Sequence, residues 1–388
     1  MTSSPASGSR AAAILRAVHA EPGVTRAALV RALGLSSGLA TDTVARLVAA
    51  RLVAETPAPA SGSRGRPTQS LVAHPQGPVV AAVAISHDRW DLAIVPLGGA
   101  VIERAGGEHA GDWAAVRRLV RRRLAARGPL RRRLTAVSVS VPGTVSGTRL
   151  VQAATLGWTG IDLRELLPAG PPPALRWFGA GNDATLGGLG EARRGSARGA
   201  RTAVYLHMDN GVGGALLLDG WPITGAQGLA GEFGHMPFGP RGRRCRCGAV
   251  GCWNAGLDGL AIADALNTDV GSDEVGFIVA TMARAGAGGR PERRVLRRAA
   301  STLGVGTAAL VNALDPELVC LGGLAPRLRA GGPEQLQESY RRGLMSSRAA
   351  DPPPIIDGRL GADAVVIGAA EAGFEALFDD PGLLAWSS

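Results

Sequence analysis

The 388-residue chain contains no lysine; all 42 of its basic residues are arginine. That absence excludes Schiff-base chemistry and the phosphate-binding lysine of a P-loop. Aromatics are only 4% of the residues, so aliphatic side chains and the turns made by 56 glycines and 25 prolines must shape the fold. No run of about 18 apolar residues occurs, so no segment is expected to span a membrane. The Ser/Gly-rich start, with an Ala-rich stretch broken by Arg16 and His19, makes a poor signal peptide. Cysteine is scarce too: three of the four lie within residues 245–252, a crowding that suits a metal site in a reducing compartment better than a disulfide framework. A soluble, cytoplasmic protein is expected.

Hydrophobic residues make up 46% and charged residues 19%, enough for a sizeable core, and the length suits two or three domains. Residues 11–55 read as helices, and 56–77 are rich in Pro, Gly, Ser and Arg. From about residue 78, apolar strand-like runs (Val79–Ile85, Leu92–Val95, Ala136–Val141, Ala203–Met208, Leu216–Leu218) alternate with helical stretches (Trp113–Arg127, Leu186–Arg193, Leu260–Leu266, Val295–Ala313, Ala364–Phe378). That alternation predicts an α/β fold, with domains at 1–75 and 76–388.

The N-terminal part carries its own signature. Ala12–His19 forms a first helix; Thr25 caps a second, Arg26–Leu33, which stops at Gly34; Ser36 or Ser37 caps a third running to about Arg51. Spacing turns Ala40, Val44, Leu47 and Val48 of the third helix inward. Gly38, Asp42, Ala45, Arg46 and Ala49 are left outside, with Thr41 at the edge. A strand at Leu52–Ala54, a basic tip containing Arg64 and Arg66, and a strand at Gln69–Val72 make a wing. Helix, tight turn, helix and wing predict a winged helix-turn-helix that reads double-stranded DNA through Ser37, Thr41, Asp42, Arg46, Arg64 and Arg66. Asp42 is expected to pair with Arg46 one turn on. Residues 1–75 hold eight arginines against three acids, half of the chain's +10 excess, as phosphate contacts require. A second basic run, Arg117 to Arg133, has nine arginines and no acid. It follows a helical pattern with Val116, Leu119, Val120 and Leu124 inward and reads as a solvated helix face.

His235, Cys245, Cys247 and Cys252 fall within 18 residues. One imidazole and three thiols complete a tetrahedral zinc set with no open position, so a structural Zn²⁺ is expected there. Gly248 and Gly251 allow the loop to curl, and Arg241, Arg243, Arg244 and Arg246 favour thiolate. Cys320 reads as a core strand residue.

These features, with Pro142-Gly143, Leu156-Gly-Trp158, Asn182-Asp183-Ala184, Gly211-Val-Gly-Gly214, Gly231-Glu-Phe-Gly-His235 and Leu314-Asp-Pro-Glu, resemble the ROK family of repressors, open reading frames and sugar kinases, and most closely its transcriptional-regulator branch. The resemblance covers nearly the whole chain. It implies a two-lobed actin/hexokinase-like domain, dimers or tetramers, and a sugar or sugar-phosphate effector held by Asn182, Asp183, Glu232 and His235. Two departures from the kinases stand out. The phosphate hairpin Asp-x-Gly-x-Thr reads Ala84-Ile85-Ser86-His87-Asp88, which removes its charge and glycine logic. The motif's closing Cys-x-Glu reads Cys252-Trp253-Asn254, leaving Asn254 at a sugar-contacting position, and Thr155 stands where Asn is common. The expectation is a sugar-responsive repressor of carbohydrate genes without kinase activity. The rival readings are an active hexose kinase and a regulator that needs no effector.

Overall fold

The computed structural model describes residues 10–57, 69–126 and 128–378. In chain order the elements are α1 (Arg10–Ala20), β1 (Val24–Thr25), α2 (Arg26–Leu33), α3 (Ser37–Ala49), β2 (Val53–Pro57), β3 (Gln69–Ala73), β4 (Val79–Ile85), β5 (Arg89–Pro96), β6 (Glu103–Glu108), α4 (Trp113–Ala125), α5 (Gly128–Arg131), β7 (Leu134–Val141), β8 (Thr144–Ser146), β9 (Arg149–Ala153), β10 (Trp158–Asp162), β11 (Trp177–Asn182) and α6 (Asp183–Arg194). There follow β12 (Thr202–Met208), β13 (Val212–Leu218), β14 (Trp221–Pro222), α7 (Gly259–Leu266), α8 (Glu274–Gly286), α9 (Arg290–Leu314), β15 (Leu318–Gly323), α10 (Ala325–Gly331), α11 (Pro333–Gly343), α12 (Ser346–Ala349), β16 (Ile355–Asp357) and α13 (Ala364–Phe378). No helix among the described residues is long and apolar enough to cross a membrane.

Contacts divide the chain into two compact units: Met1–Ser140 with Asp162–Ala180 and Ala369–Ser388, and Val141–Ile161 with Gly181–Gly368. In the first, the sheet order β11-β7-β4-β5-β6 joins β4 to β5 and β5 to β6 antiparallel, and β4 to β7 parallel. In the second, β14-β13-β12-β15-β16 joins β12 to β13 and β13 to β14 antiparallel, and β12 to β15 and β15 to β16 parallel. With strands numbered within each sheet, both five-stranded sheets have the order 3-2-1-4-5. The fold therefore repeats a topology that no short-period sequence repeat announces.

The first three helices and the wing form as their local signals predict. Thr25 Oγ1 accepts from the Ala28 N–H at 3.2 Å, and Gly34 closes α2 at φ +62°, a conformation that disfavours a side chain. Ser36, not Ser37, caps α3, with its Oγ accepting from Leu39 N–H. Ala40, Val44 and Leu47 are buried as the spacing requires. The fourth position differs. Val48 is half-buried and Thr43 is buried instead, its hydroxyl hidden by donation to the Leu39 carbonyl at 2.8 Å. β2 and β3 pair antiparallel, and β1 joins β3. In α4, Val116, Val120 and Leu124 are buried and Leu119 half-buried; Arg117 pairs with Glu165 at 2.6 Å.

The core of the second unit lies between its sheet and α7 to α11, with Val204, Leu206, Leu303, Val319 and Leu321 at its centre. Trp253 is fully buried there and donates from Nε1 to the Thr302 carbonyl at 2.9 Å. That anchor fixes the segment that carries Cys252 and Asn254.

Candidate functional site

The exposed face of α3 carries Ser37, Thr41, Asp42 and Arg46. The Thr41 hydroxyl donates to the Ser37 carbonyl at 2.9 Å, so that exposed side chain is bonded to its own helix. Asp42 and Arg46 make no ion pair among the described residues, contrary to the sequence expectation. An exposed i,i+4 pair gains only a few tenths of a kcal/mol and does not hold two side chains against their entropy. Both groups are left available to a ligand. Arg64 and Arg66 lie outside the described residues.

In the second unit, β11 ends at Asn182 and α6 begins at Asp183. Asn182 is the helix cap: its Oδ1 accepts from the Ala184 and Thr185 N–H groups at 2.9 and 3.2 Å, and its Nδ2 donates to the Gly143 carbonyl at 3.0 Å. A carbonyl already bonded twice is a positioning group; it points Asp183 more than it can grip a ligand. Asp183 accepts from Ala184 N–H at 2.8 Å. Burial pushes its carboxyl above the usual range, with His207 opposing and Asp209 adding to the rise.

His207 and Asp209 join Asp183 in one cluster whose ligand atoms lie within 4.8 Å of one another. His207 Nε2 is 3.4 Å from Asp209 Oδ2, and its Nδ1 is 3.1 Å from the Tyr205 hydroxyl. Burial alone would lower the histidine, yet Asp209 and Asp183 outweigh it and bring His207 to about 9. The sequence reading missed both residues because the run Ala203–Met208 reads as plain core strand. A polar side chain at the strand's end, then an acid just before Gly211-Val-Gly-Gly214, was the available signal.

Glu232 and His235 flank a short 3-10 turn, Phe233–His235. His235 Nε2 lies 3.7 Å from Glu232, while its Nδ1 lies 3.7 Å from Cys245 Sγ. The ring thus bridges a carboxylate and a thiol cluster. Partial burial, then the charge of Asp183, raises Glu232, with His235 pulling it down. Asn254 closes the group: its Oδ1 accepts from Val212 N–H at 2.6 Å, and a Cβ at Gly234 would fall 2.4 Å from its amide. Gly234 is what lets the His235 turn approach Asn254. Glu232 and His235 thus lie beside Asn254, and Asp183 is near enough to Glu232 to raise it.

Cys245, Cys247, Cys252 and His235 form a second cluster that could hold a metal. Cys245 N–H donates to the Ala249 carbonyl at 2.8 Å and Gly248 N–H to the Cys245 carbonyl at 3.0 Å, a tight knuckle that needs Gly248 at φ +95°. Cys247 and Cys252 sulfurs stand 3.6 Å apart. Burial and the neighbouring thiols push Cys252 up to about 12, whereas hydrogen bonds, the Ala249 N–H first, overcome burial to bring Cys247 down. Of the surrounding arginines, Arg243 pairs with Asp264 and Arg246 with Glu274. Cys320 is buried in β15, apart from the cluster.

The β4–β5 hairpin is closed by its own side chains. Ser86 Oγ donates to Asp88 at 3.1 Å and accepts from Arg89 N–H at 3.2 Å, and His109 Nε2 stands 3.1 Å from the Ser86 carbonyl. The Asp88 carboxylate at this turn would repel an approaching phosphate.

Comparison with known proteins agrees with this anatomy. The model of the ROK family matches residues 119–372, well over half of the chain, and that of the MarR family matches residues 7–62. A glucokinase of Halalkalibacterium halodurans is 26% identical over 270 residues, 61% of this chain and 80% of its own. A ROK family transcriptional regulator, homologous to the Escherichia coli MLC protein, superposes with a TM-score of 0.73 at 22% identity over 97% of both chains. The ROK hexokinase of Thermus thermophilus superposes with a TM-score of 0.62 at 27% identity, over 78% of this chain and 100% of its own. The fold is a MarR-like winged helix followed by an actin/hexokinase-like domain.

Proposed function

The chain belongs to the ROK family, and on that premise we propose that it is a transcriptional repressor of carbohydrate uptake or catabolism genes, governed by a sugar or sugar phosphate. The observation that carries this reading is the exposed polar face of α3, on a winged helix joined to a kinase-like domain. Residues 1–75 serve as the DNA-binding head and 76–388 as the effector and self-association part. Two heads of a dimer would enter successive major grooves, about 34 Å apart, of a nearly palindromic operator. Ser37, Thr41, Asp42 and Arg46 would face base edges, and Arg64 and Arg66 of the wing would meet the backbone or minor groove.

Asp183 and Glu232 supply hydroxyl-binding carboxylates, with His235 and the Asn254 amide beside them. Kinase turnover is not part of the reading. The closed Ser86–Asp88 hairpin is poorly suited to phosphate, and Asp183 already faces His207 and Asp209. A brisk, sugar-dependent ATP turnover would overturn that half of the proposal and favour the kinase alternative. The Cys₃His cluster fits zinc: a tetrahedron with Zn–S bonds of about 2.3 Å has edges of about 3.6–3.8 Å, and Cys247 Sγ stands 3.6 Å from Cys252 Sγ and Cys245 Sγ 3.7 Å from His235 Nδ1. When bound, zinc supplies a rigid four-ligand anchor with no open position. His235 would then be held through Nδ1 with Nε2 turned to Glu232, as carboxylate–histidine–metal groupings require. A cytoplasmic setting, whose reducing poise keeps such thiols available to a metal, is part of this reading.

Arg46→Ala is expected to weaken operator binding by about 1–3 kcal/mol if the guanidinium reads a base. If it contacts phosphate, binding should weaken uniformly across sequences, with a salt slope smaller by about one. Fluorescence anisotropy across a salt series reads both, and an unchanged affinity and slope would remove α3 from the DNA interface.

A further inference from the structure

We propose that Asp183, His207 and Asp209 form a second metal site, which takes a borderline divalent cation such as Mn²⁺ and leaves part of its coordination sphere to effector hydroxyls. The three donor atoms already lie within 4.8 Å of one another. Metal bonds of about 2.1 Å put adjacent donors about 3.0 Å and opposed donors about 4.2 Å apart; His207 Nε2 and Asp209 Oδ2 already stand at 3.4 Å, and the other separations, at most 4.8 Å, close by side-chain rotation.

The histidine is aimed from behind. Tyr205, fully buried, holds Nδ1 at 3.1 Å, which leaves Nε2 turned to the carboxylates. The phenol itself has room only because two neighbours lack side chains: a Cβ at Gly322 would stand 2.0 Å from its oxygen, and one at Gly187 would stand 2.9 Å from it. An outer partner that fixes the ring and selects the free nitrogen is how metal-ligating histidines are oriented. The carriers are rigid as well: His207 is the penultimate residue of β12, Asp209 follows that strand, and Asp183 opens α6.

The chemistry separates this site from the cysteine cluster. Two carboxylate oxygens and one imidazole suit Mn²⁺ or a similar cation, whereas three thiolates and an imidazole suit zinc. Without metal, the His207 ring faces both acids, and any proton on Nε2 must be given up when a cation binds. That proton leaves to solvent and the cation neutralises the acids. Three protein ligands leave positions open, and vicinal hydroxyls of a sugar are suitable occupants. That last step rests on the sugar reading of Asp183; metal uptake itself does not.

The test is Mn²⁺ titration of zinc-loaded, full-length protein followed by electron paramagnetic resonance of the free ion. One Mn²⁺ per chain is expected to bind beyond the zinc. His207→Gln and Asp209→Asn should each weaken uptake by at least about tenfold with unchanged circular dichroism, while Cys247→Ser should retain it. No uptake by the parent protein at about 1 mM, or equal uptake by both variants, would overturn the site and leave an ion-paired triad only. In the same samples, tighter sugar binding with Mn²⁺ than without supports the effector step, and indifference to Mn²⁺ overturns it. A chain that takes up Mn²⁺ but binds no sugar under any condition leaves the metal site standing and defeats the effector reading instead.

Discussion

Glu371→Ala is expected to destabilise the first unit by about 3 kcal/mol, seen as a lower urea midpoint, and to weaken operator binding with it. The carboxylate of Glu371 in α13 receives His19 Nε2 of α1 at 3.1 and 3.0 Å, and both side chains are at most 3% exposed. The other ring nitrogen, Nδ1, accepts the Gly98 N–H at 2.9 Å, so the proton sits on Nε2 and the ring donates to the acid. Phe374 and Phe378 wall the pair, with ring centroids 4.4 and 5.5 Å from the imidazole. Arg16 clamps Glu375 one turn further along, at 2.6 Å. Truncating Glu371 leaves a buried N–H donor facing a cavity, which is more damaging than losing one surface pair. Glu371→Gln, which keeps an acceptor for the ring N–H and leaves the Gly98 bond to Nδ1 in place, should lose much less. A Glu371→Ala variant within 0.5 kcal/mol of the parent protein would show that this joint does not hold the head.

Cys247→Ser is expected to weaken zinc binding by more than about 100-fold and to lower effector affinity with it. The serine oxygen is a poorer donor to zinc, and only three of the four ligands would remain on a loop whose Cys247 is exposed. His235 would lose its anchor on Nδ1, and Glu232 its fixed neighbour. Elemental analysis should show metal falling from about one zinc per chain toward none. Cys320→Ala is the control: buried in β15 and outside the cluster, it should leave the metal content unchanged while changing stability modestly. Equal metal in the parent protein and Cys247→Ser would mean that the cluster is not the zinc site.

Local signals were readable in the chain and long-range ones were not. α2 begins after Thr25 and ends before Gly34 because cap chemistry acts within one turn. The four candidate zinc ligands were legible because short spacing with glycines constrains where they can go. Thr43 escaped notice because a hydroxyl bonded to its own helix can pass as apolar. His207 was hidden in a strand buried on both faces, and Asp209 in the turn that follows it. The joint of His19 to Glu371 spans 352 residues, and no pattern at either end names the other. Nor did composition reveal that residues 141–161 belong with 181–368, or that two sheets of one topology are built from dissimilar runs. The exchange of strands between units is fixed by pairing geometry, which a linear reading does not contain.

The most direct trial incubates the full-length protein with duplex DNA from its own upstream region, with and without a monosaccharide panel, and follows anisotropy and ATP consumption together. A salt-dependent complex whose affinity changes at least about fivefold with one sugar, and no ATP consumption, is the predicted result. Rapid phosphorylation of a monosaccharide by protein that ignores the duplex even at low ionic strength would contradict it.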